Sequence, residues 1–272
     1  MLHEIEPLHL DNSFKYIEPT DKDFCICFSF GNILVGDGDT ARFPIYSEVK
    51  LMVEKCVYIF SIDGHKYFLC QLREDEPVGY HLVPMRTFMS LKPKATVYAG
   101  MTAFHLYVWY RDTKYCGRCG SPLTHDTKER MMYCDKCKNQ IYPKIMPAII
   151  VGVIHEDKIL VTKYRGREYG GYALIAGFTE IGETAEQTVA REVMEEAGVK
   201  VKNIKYFGTQ PWGIAQDLLL GYFCELDGEP NIKMDDQELS YASFVSRDEL
   251  DVEDHDVSLT NRMLYLFSKG EV

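Results

Sequence analysis

The sequence predicts an α+β chain in three parts: a mostly-β N-terminal region, a compact cysteine-bearing insert, and a mixed sheet sandwiched by helices. Three observations carry this prediction. Apolar residues alternate with period two in many short runs on both sides of residue 145. Two C-x2-C pairs stand together between residues 116 and 137. One strongly acidic helical stretch interrupts the second group of strands.

The elements follow in order. DFCICFSF (23–30) alternates like a strand, and KCVYIFSI and HKYFLCQL flank Asp63-Gly64, a two-residue hairpin turn. From Ala95 to Arg111 the period turns helical, with Ala99, Ala103, Leu106 and Tyr110 close to one face. This defines a first domain over 1–112, and the cysteine insert takes 113–144. In the third domain, 145–272, PAIIVGVIH and DKILVTKY form a hairpin and YALIAGF leads into the acidic helix. NIKYFGTQPW, DLLLGYFCEL and LSYASFV are further strands, and SLTNRMLYLFSK closes the chain as a helix.

Composition narrows the function. The 272 residues are 46% hydrophobic, enough for a proper core, and the formal net charge of -11 argues against non-specific nucleic-acid affinity for the whole molecule. No apolar run reaches the ~18 residues of a membrane span, and the N-terminus lacks a basic start and apolar core. Nine cysteines, an odd number, make no closed disulfide framework. Four have metal spacing and the rest are scattered, which suits a reducing cytosol and a cytoplasmic protein.

Cys116-Gly-Arg-Cys119 and Cys134-Asp-Lys-Cys137 are separated by fourteen residues. Four thiolates match the closed tetrahedral shell of one structural Zn²⁺, leaving no open position for catalysis. A redox role for a single pair is weaker, since neither follows a strand in a thioredoxin-like setting. Lys114, Arg118, Lys128, Arg130, Lys136, Lys138 and Lys144 make the insert basic. Either a nucleic-acid surface or a solvated face beside an acidic protein accounts for them.

The acidic stretch runs from Gly177 to Val199 as GFTEIGETAEQTVAREVMEEAGV. Glu192, Glu195 and Glu196 stand at i, i+3 and i+4, so a helix places them on one face about 5–6 Å apart at Cβ. They crowd the helix end before Gly198, a C-terminal cap residue, where the macrodipole already disfavours negative charge. Hard divalent cations reverse that cost and leave coordination sites for phosphate. A merely solvated acidic face is the bland alternative, and the position of the acids speaks against it. Arg191 is expected to orient a carboxylate through charge-assisted contacts.

The stretch has the form G-x5-E-x7-R-E-U-x-E-E-x-G-U, with U a bulky aliphatic residue. Gly177, Glu183, Arg191, Glu192, Val193, Glu195, Glu196, Gly198 and Val199 fill its defined positions. That pattern resembles the Nudix box of hydrolases acting on nucleoside diphosphates linked to another moiety. With a zinc ribbon ahead of it and a β-rich region before that, the chain resembles the bacterial NADH pyrophosphatases. Tyr115-Cys-Gly-Arg-Cys-Gly, Ile141-Tyr-Pro-Lys-Ile-Met-Pro and Ala173-Leu-Ile-Ala-Gly-Phe carry further local likeness. The resemblance implies a Nudix α/β/α sandwich and hydrolysis of NADH or NAD⁺ to AMP and the nicotinamide mononucleotide, and it extends to removal of NAD caps from RNA.

Residue roles implied by the resemblance are as follows. Glu192, Glu195, Glu196 and Glu238, with the carbonyl of Ala176, hold about two or three Mg²⁺ or Mn²⁺ ions that clamp the phosphates and acidify a water. Glu196 or Glu238 takes the proton, while Glu183 and Arg191 align the helix. Phe178 stacks on the nicotinamide, and Tyr142 reaches the other ring face across a homodimer interface. Glu129, Arg86 and Thr260 align more loosely with substrate contacts; ordinary surface placement is the alternative for them, as core packing is for Phe178 and Tyr142. The family motif S-Q-P-W-P-F-P-x-S becomes Thr209-Gln210-Pro211-Trp212-Gly213-Ile214-Ala215-Gln216-Asp217. Two stiffening prolines and an aromatic ring are lost, which predicts a differently shaped loop. Alternative functions are hydrolysis of ADP-ribose or another nucleoside-diphosphate conjugate, and, in another class, a non-catalytic nucleotide sensor or DNA-binding regulator.

Overall fold

The computed structural model describes residues 1–38, 40–73, 77–166 and 171–272. Its contacts divide the chain into two compact units. One comprises Leu2–Lys144 with Trp212–Gln216; the other comprises Ile145–Pro211 and Asp217–Val272, together with Met1.

The first unit opens with strands β1 (Leu10–Asp11), β2 (Phe24–Ser29) and β3 (Asn32–Gly36), and a short helix α1 (Tyr46–Val49). Next come β4 (Val53–Ile62), β5 (His65–Leu72), β6 (Tyr80–Pro84), α2 (Met85–Phe88) and the long α3 (Lys94–Asp112). The strands form one sheet in the order β1-β4-β5-β2-β3-β6. Asp63 and Gly64 turn the β4–β5 hairpin with φ of 47° and 78°, the left-handed pair that a two-residue turn demands. Ile26, Ile33, Ile59, Phe60 and Phe88 build the core against Val97, Met101 and Leu106 of α3. The cysteine insert adds β7 (Thr124–His125), β8 (Met132–Tyr133) and β9 (Gln140–Ile141) as a small antiparallel sheet. It is fastened within this unit by Arg130, which donates to Asn12 Oδ1 at 2.7 Å and to the carbonyl of Ile59, and by a Tyr110–His125 hydrogen bond of 2.9 Å.

Cys56 and Cys70 are bonded across β4 and β5. Spacing along the sequence, which leaves these cysteines scattered, does not indicate this pair. The register at the turn, Ile62 opposite His65, would set Cys56 opposite Gln71. A bulge between Tyr58 and Phe60 shifts it by one residue and brings Cys70 opposite instead.

The second unit contains β10 (Met146–His155), β11 (Lys158–Tyr164), β12 (Ile175–Phe178), α4 (Ala185–Ala197), β13 (Val201–Trp212, whose last residue belongs to the first unit), β14 (Asp217–Leu226), β15 (Leu239–Ser246) and α5 (Leu259–Ser268). The sheet runs β13-β14-β10-β11-β15, with β12 also on β10. It is mixed, because β10 pairs parallel with β14 and antiparallel with β11 and β12. Val189, Val193 and Ala197 repeat every four residues and bury completely against Ile149, Val151 and Tyr222. On the opposite face Gly221 meets Leu259 and Met263 of α5. The result is the expected helix–sheet–helix sandwich. Among the described residues, no helix is long and apolar enough to cross a membrane.

Candidate active site and metal centres

Helix α4 is set at both ends by its sequence. Thr184 accepts from the Gln187 amide at 3.3 Å while the Gln187 side chain accepts from Thr184 N at 2.8 Å, a capping box. Gly198 ends the helix in the left-handed conformation at φ 66°. Between these caps the acids take different environments. Glu196 is buried, Glu192 nearly so, and Glu195 exposed.

Arg191 connects them. Its Nε and Nη2 donate to the two oxygens of Glu183 at 2.7 and 3.1 Å, Nη1 donates to Glu192 at 2.7 Å and Glu195 at 2.9 Å, and Nη2 donates to the Phe178 carbonyl at 2.9 Å. One guanidinium thus ties the loop after β12 to three carboxylates. Arg191 holds Glu183 down to about 2. Glu192 moves the other way: burial pushes it up, and the charges of Glu195 and Glu238 add to that rise. Glu238, exposed just before β15, is therefore close enough to act on Glu192. Behind Glu192 lies Gly177 of β12. A Cβ there would come within 2.0 Å of the Glu192 carboxyl carbon, so only glycine lets this carboxylate lie on the strand. Ala176 precedes it, opposite Ile150 on β10.

This donor set fits hard divalent cations. It offers carboxylate oxygens and a strand carbonyl, and burial and mutual repulsion both call for added positive charge. Arg191 supplies part of that charge and draws Glu192 and Glu195 to itself. Accordingly, among the described residues no three acids bring oxygens within 4.8 Å of one another.

The four sulfurs of Cys116, Cys119, Cys134 and Cys137 do lie within 4.8 Å of one another, with Cys116–Cys137 and Cys119–Cys134 each at 3.5 Å. Tetrahedral Zn²⁺ with Zn–S near 2.3 Å requires about 3.8 Å between sulfurs, so the cluster is a structural zinc site. Each knuckle closes with a 2.8 Å backbone bond, Gly120 N to the Cys116 carbonyl and Lys138 N to the Cys134 carbonyl. Asn139 Nδ2 also donates to Cys116 Sγ at 3.7 Å, a contact the knuckle spacing alone did not indicate.

The remaining expected residues scatter across both units. In the second unit Phe178 is 52% exposed and pairs with Ala148, while Thr260 lines a 380 Å³ cavity with Lys163, Tyr172, His255 and Asn261. Gln210 is fully buried, with both ends of its amide engaged: Nε2 donates to the Val257 carbonyl at 2.7 Å and Oε1 accepts from Leu259 N at 2.6 Å. It positions the start of α5 rather than facing open space. Pro211 is exposed beside it. Asp217 begins β14 buried, its Oδ1 without a hydrogen-bond partner, and burial raises its carboxyl to about 6.

In the first unit Trp212 and Ile214 pack on the core. Gly213 lies on α3, where a Cβ would fall 2.1 Å from the Met101 carbonyl oxygen. Ala215 and Gln216 complete the turn, with Gln216 N donating to the Gly213 carbonyl at 3.3 Å. Tyr142 and Glu129 are brought together, the phenol donating to Glu129 Oε2 at 2.6 Å, whereas Arg86 sits exposed on α2. Thr188 was missed by the sequence reading. Fully buried on α4, it donates to Glu183 at 2.9 Å, and its place one turn after the cap Thr184 was the available signal.

Residues 144–265 match the NUDIX domain family, and residues 111–142 match the NADH pyrophosphatase zinc ribbon domain. The NAD-capped RNA hydrolase NudC of Escherichia coli O81 (strain ED1a) is 36% identical over 214 residues, 78% of this chain and 78% of the relative. The protein of the same name from Salmonella typhi is 44% identical over 143 residues, 52% of this chain and 55% of the relative. A crystal structure of a NUDIX hydrolase from Nitrosomonas europaea shares the fold with a TM-score of 0.50 and 21% identity, covering 58% of this chain and 92% of its own.

Proposed function

The chain belongs to the Nudix hydrolases that carry the NADH pyrophosphatase zinc ribbon, and on that premise we propose that it cleaves the pyrophosphate bond of NAD(H). The dinucleotide is taken free or as the cap of an RNA, and the products are AMP, or the RNA with a 5′ phosphate, and the nicotinamide mononucleotide. The observation that carries this reading is the α4 network, a helix of acids locked by Arg191 to the strand turn that carries Phe178.

Glu192, Glu195, Glu196, Glu238 and the Ala176 carbonyl would hold Mg²⁺ or Mn²⁺, which would supply positive charge against the phosphates and lower the pKa of a bound water. The protein's own groups do the rest. Arg191 and Glu183 fix the helix so that its carboxylates keep their spacing. Glu196 or Glu238 accepts the proton of the attacking water. Phe178 offers an exposed ring on which the nicotinamide stacks. Thr260 and Asp217 are further contacts of the same domain. Tyr142, Glu129 and Arg86 enter the reading through a homodimer, in which Tyr142 serves the partner copy's ring. The division into 1–112, 113–144 and 145–272 and a cytoplasmic setting belong to the same proposal.

One observation favours a second substrate, ADP-ribose. Gly213 and Asp217 replace a proline and a serine of the family motif, and Gly213 is required by the close approach of Met101. Comparing kcat/KM for NADH, NAD⁺, NAD-capped RNA and ADP-ribose at fixed Mg²⁺, with product identification, tests the proposal. AMP and the mononucleotide should form with the dinucleotides preferred. A preference for ADP-ribose overturns the substrate assignment, and absence of hydrolysis overturns the enzyme.

A further inference from the structure

The N-terminal sheet holds a second group of cysteines that pyrophosphate hydrolysis does not use. Cys56 on β4 faces Cys70 on β5 and is bonded to it, their Cα atoms 4.4 Å apart. Cys25 lies on β2, which pairs with β5, and is fully buried. Its sulfur lies within 4.8 Å of both others. Cys25 and Cys70 belong to one buried cluster with Val49, Tyr58 and Phe68, and Cys56 packs against it.

We propose that, once the Cys56–Cys70 bond is reduced, Cys25, Cys56 and Cys70 form a second metal site, selective for a soft d¹⁰ cation such as Cu(I). Reduction takes two electrons from a dithiol or a phosphine, which is itself oxidised; the S–S bond breaks and each sulfur gains a proton. Binding then exchanges protons for the cation, each coordinating thiol releasing its proton to water.

Ligand chemistry sets the choice of ion. The group contains sulfur alone, with no imidazole or carboxylate among its members, and thiolates favour soft ions. Zn²⁺ closes its structural shell with four ligands, as the ribbon provides, whereas three sulfurs suit trigonal Cu(I). The surroundings of Cys25 also disfavour a bare thiolate there. Burial pushes the Cys25 thiol up to about 12, with Asp23 and Glu48 adding to the rise. A coordinated cation reverses that balance and takes up the thiolate. Cys56 is only half-buried and gives the ion a route inward. Cys27, beside Cys70 in register, lies outside the group and remains a core thiol.

Native mass spectrometry of the zinc-loaded full chain, titrated with Cu(I) against a competing chelator, tests this. The phosphine-reduced protein should bind one Cu(I) while keeping its zinc, and the oxidised protein should keep zinc alone. Cys25→Ser should lower the apparent Cu(I) affinity by at least about a hundredfold, the upper end of the cost of losing a mere supporting group, with NADH turnover unchanged. Equal uptake by oxidised and reduced protein, equal uptake by Cys25→Ser, or copper gained only as zinc is lost would each overturn the proposal. Should Cys25→Ser fail to fold, the oxidised–reduced comparison on the unaltered chain decides alone.

Discussion

Helix α4 and the stretch Trp212–Asp217 solve opposite problems. On α4 and in the loop before it the charges are crowded but tied: Glu183 of the loop and Glu192 and Glu195 of the helix share one guanidinium, which also grips the Phe178 carbonyl. Trp212, Gly213 and Ile214 carry no charge and are held by packing, while Asp217 brings a buried carboxyl oxygen with no partner. The contrast separates reaction from selection. The helix keeps what any pyrophosphate cleavage needs, namely negative oxygens at fixed spacing. The stretch Trp212–Asp217 is shaped by local packing, and the substrate preference proposed above is tied to that stretch rather than to the helix.

The largest effects should therefore come from the helix. Glu195→Gln and Glu196→Gln should each lower kcat by about a hundredfold or more, with far-UV circular dichroism unchanged. Near wild-type turnover in both would remove the metal-site assignment. Gly177→Ala is the next test. Its methyl group would fall 2.0 Å from the Glu192 carboxyl carbon and push that side chain off the strand. Turnover should fall about 10–100-fold, as when a supporting contact of a metal ligand is lost. A methyl group without kinetic effect would show that Glu192 does not need this placement.

In the other region the expected penalty is in stability. Gly213→Pro restores the family's proline but aims a Cβ at the Met101 carbonyl, 2.1 Å away. The chain should lose about 1–3 kcal/mol by overpacking, read as a lower denaturation midpoint. An unchanged midpoint would mean that the turn moves freely off α3, and the comparison with α4 would then be one of mobility rather than of packing.

Legibility in the sequence follows the same divide. The acid face, its C-terminal cap Gly198 and the cysteine knuckles are spaced within a few helical or turn lengths, so their geometry is nearly fixed by local backbone periodicity. Phe178 and Glu238 needed a family resemblance, and Thr188 was overlooked although its signal was local. What the sequence hid depends on contacts between distant residues. Gln210 is occupied by backbone groups 47 and 49 residues away. Gly213 is dictated by a carbonyl on α3. The Cys56–Cys70 pairing turns on one β-bulge, which no local pattern announces.

The smallest expected effect, and the one that separates the two regions by sign, is the response to pH. Asp217 titrates at about 6 in the folded chain against 3.8 without burial. Between those values the folded protein keeps a proton that the unfolded chain has released. Stability from this residue is therefore full below about 4 and declines as pH rises to about 6. Glu183 behaves in reverse: held down to about 2 by Arg191, it contributes stability above 4.5 that is lost as pH falls through about 2. Asp217→Asn keeps the size and removes the charge, so its denaturation midpoint should gain on the unaltered chain from pH 4 to pH 6 and run parallel above. A constant gap across that window would mean that Asp217 finds a partner when ionised. The buried oxygen would then be an ordinary structural contact, and the selectivity assigned to this stretch would rest on Trp212–Gln216 alone.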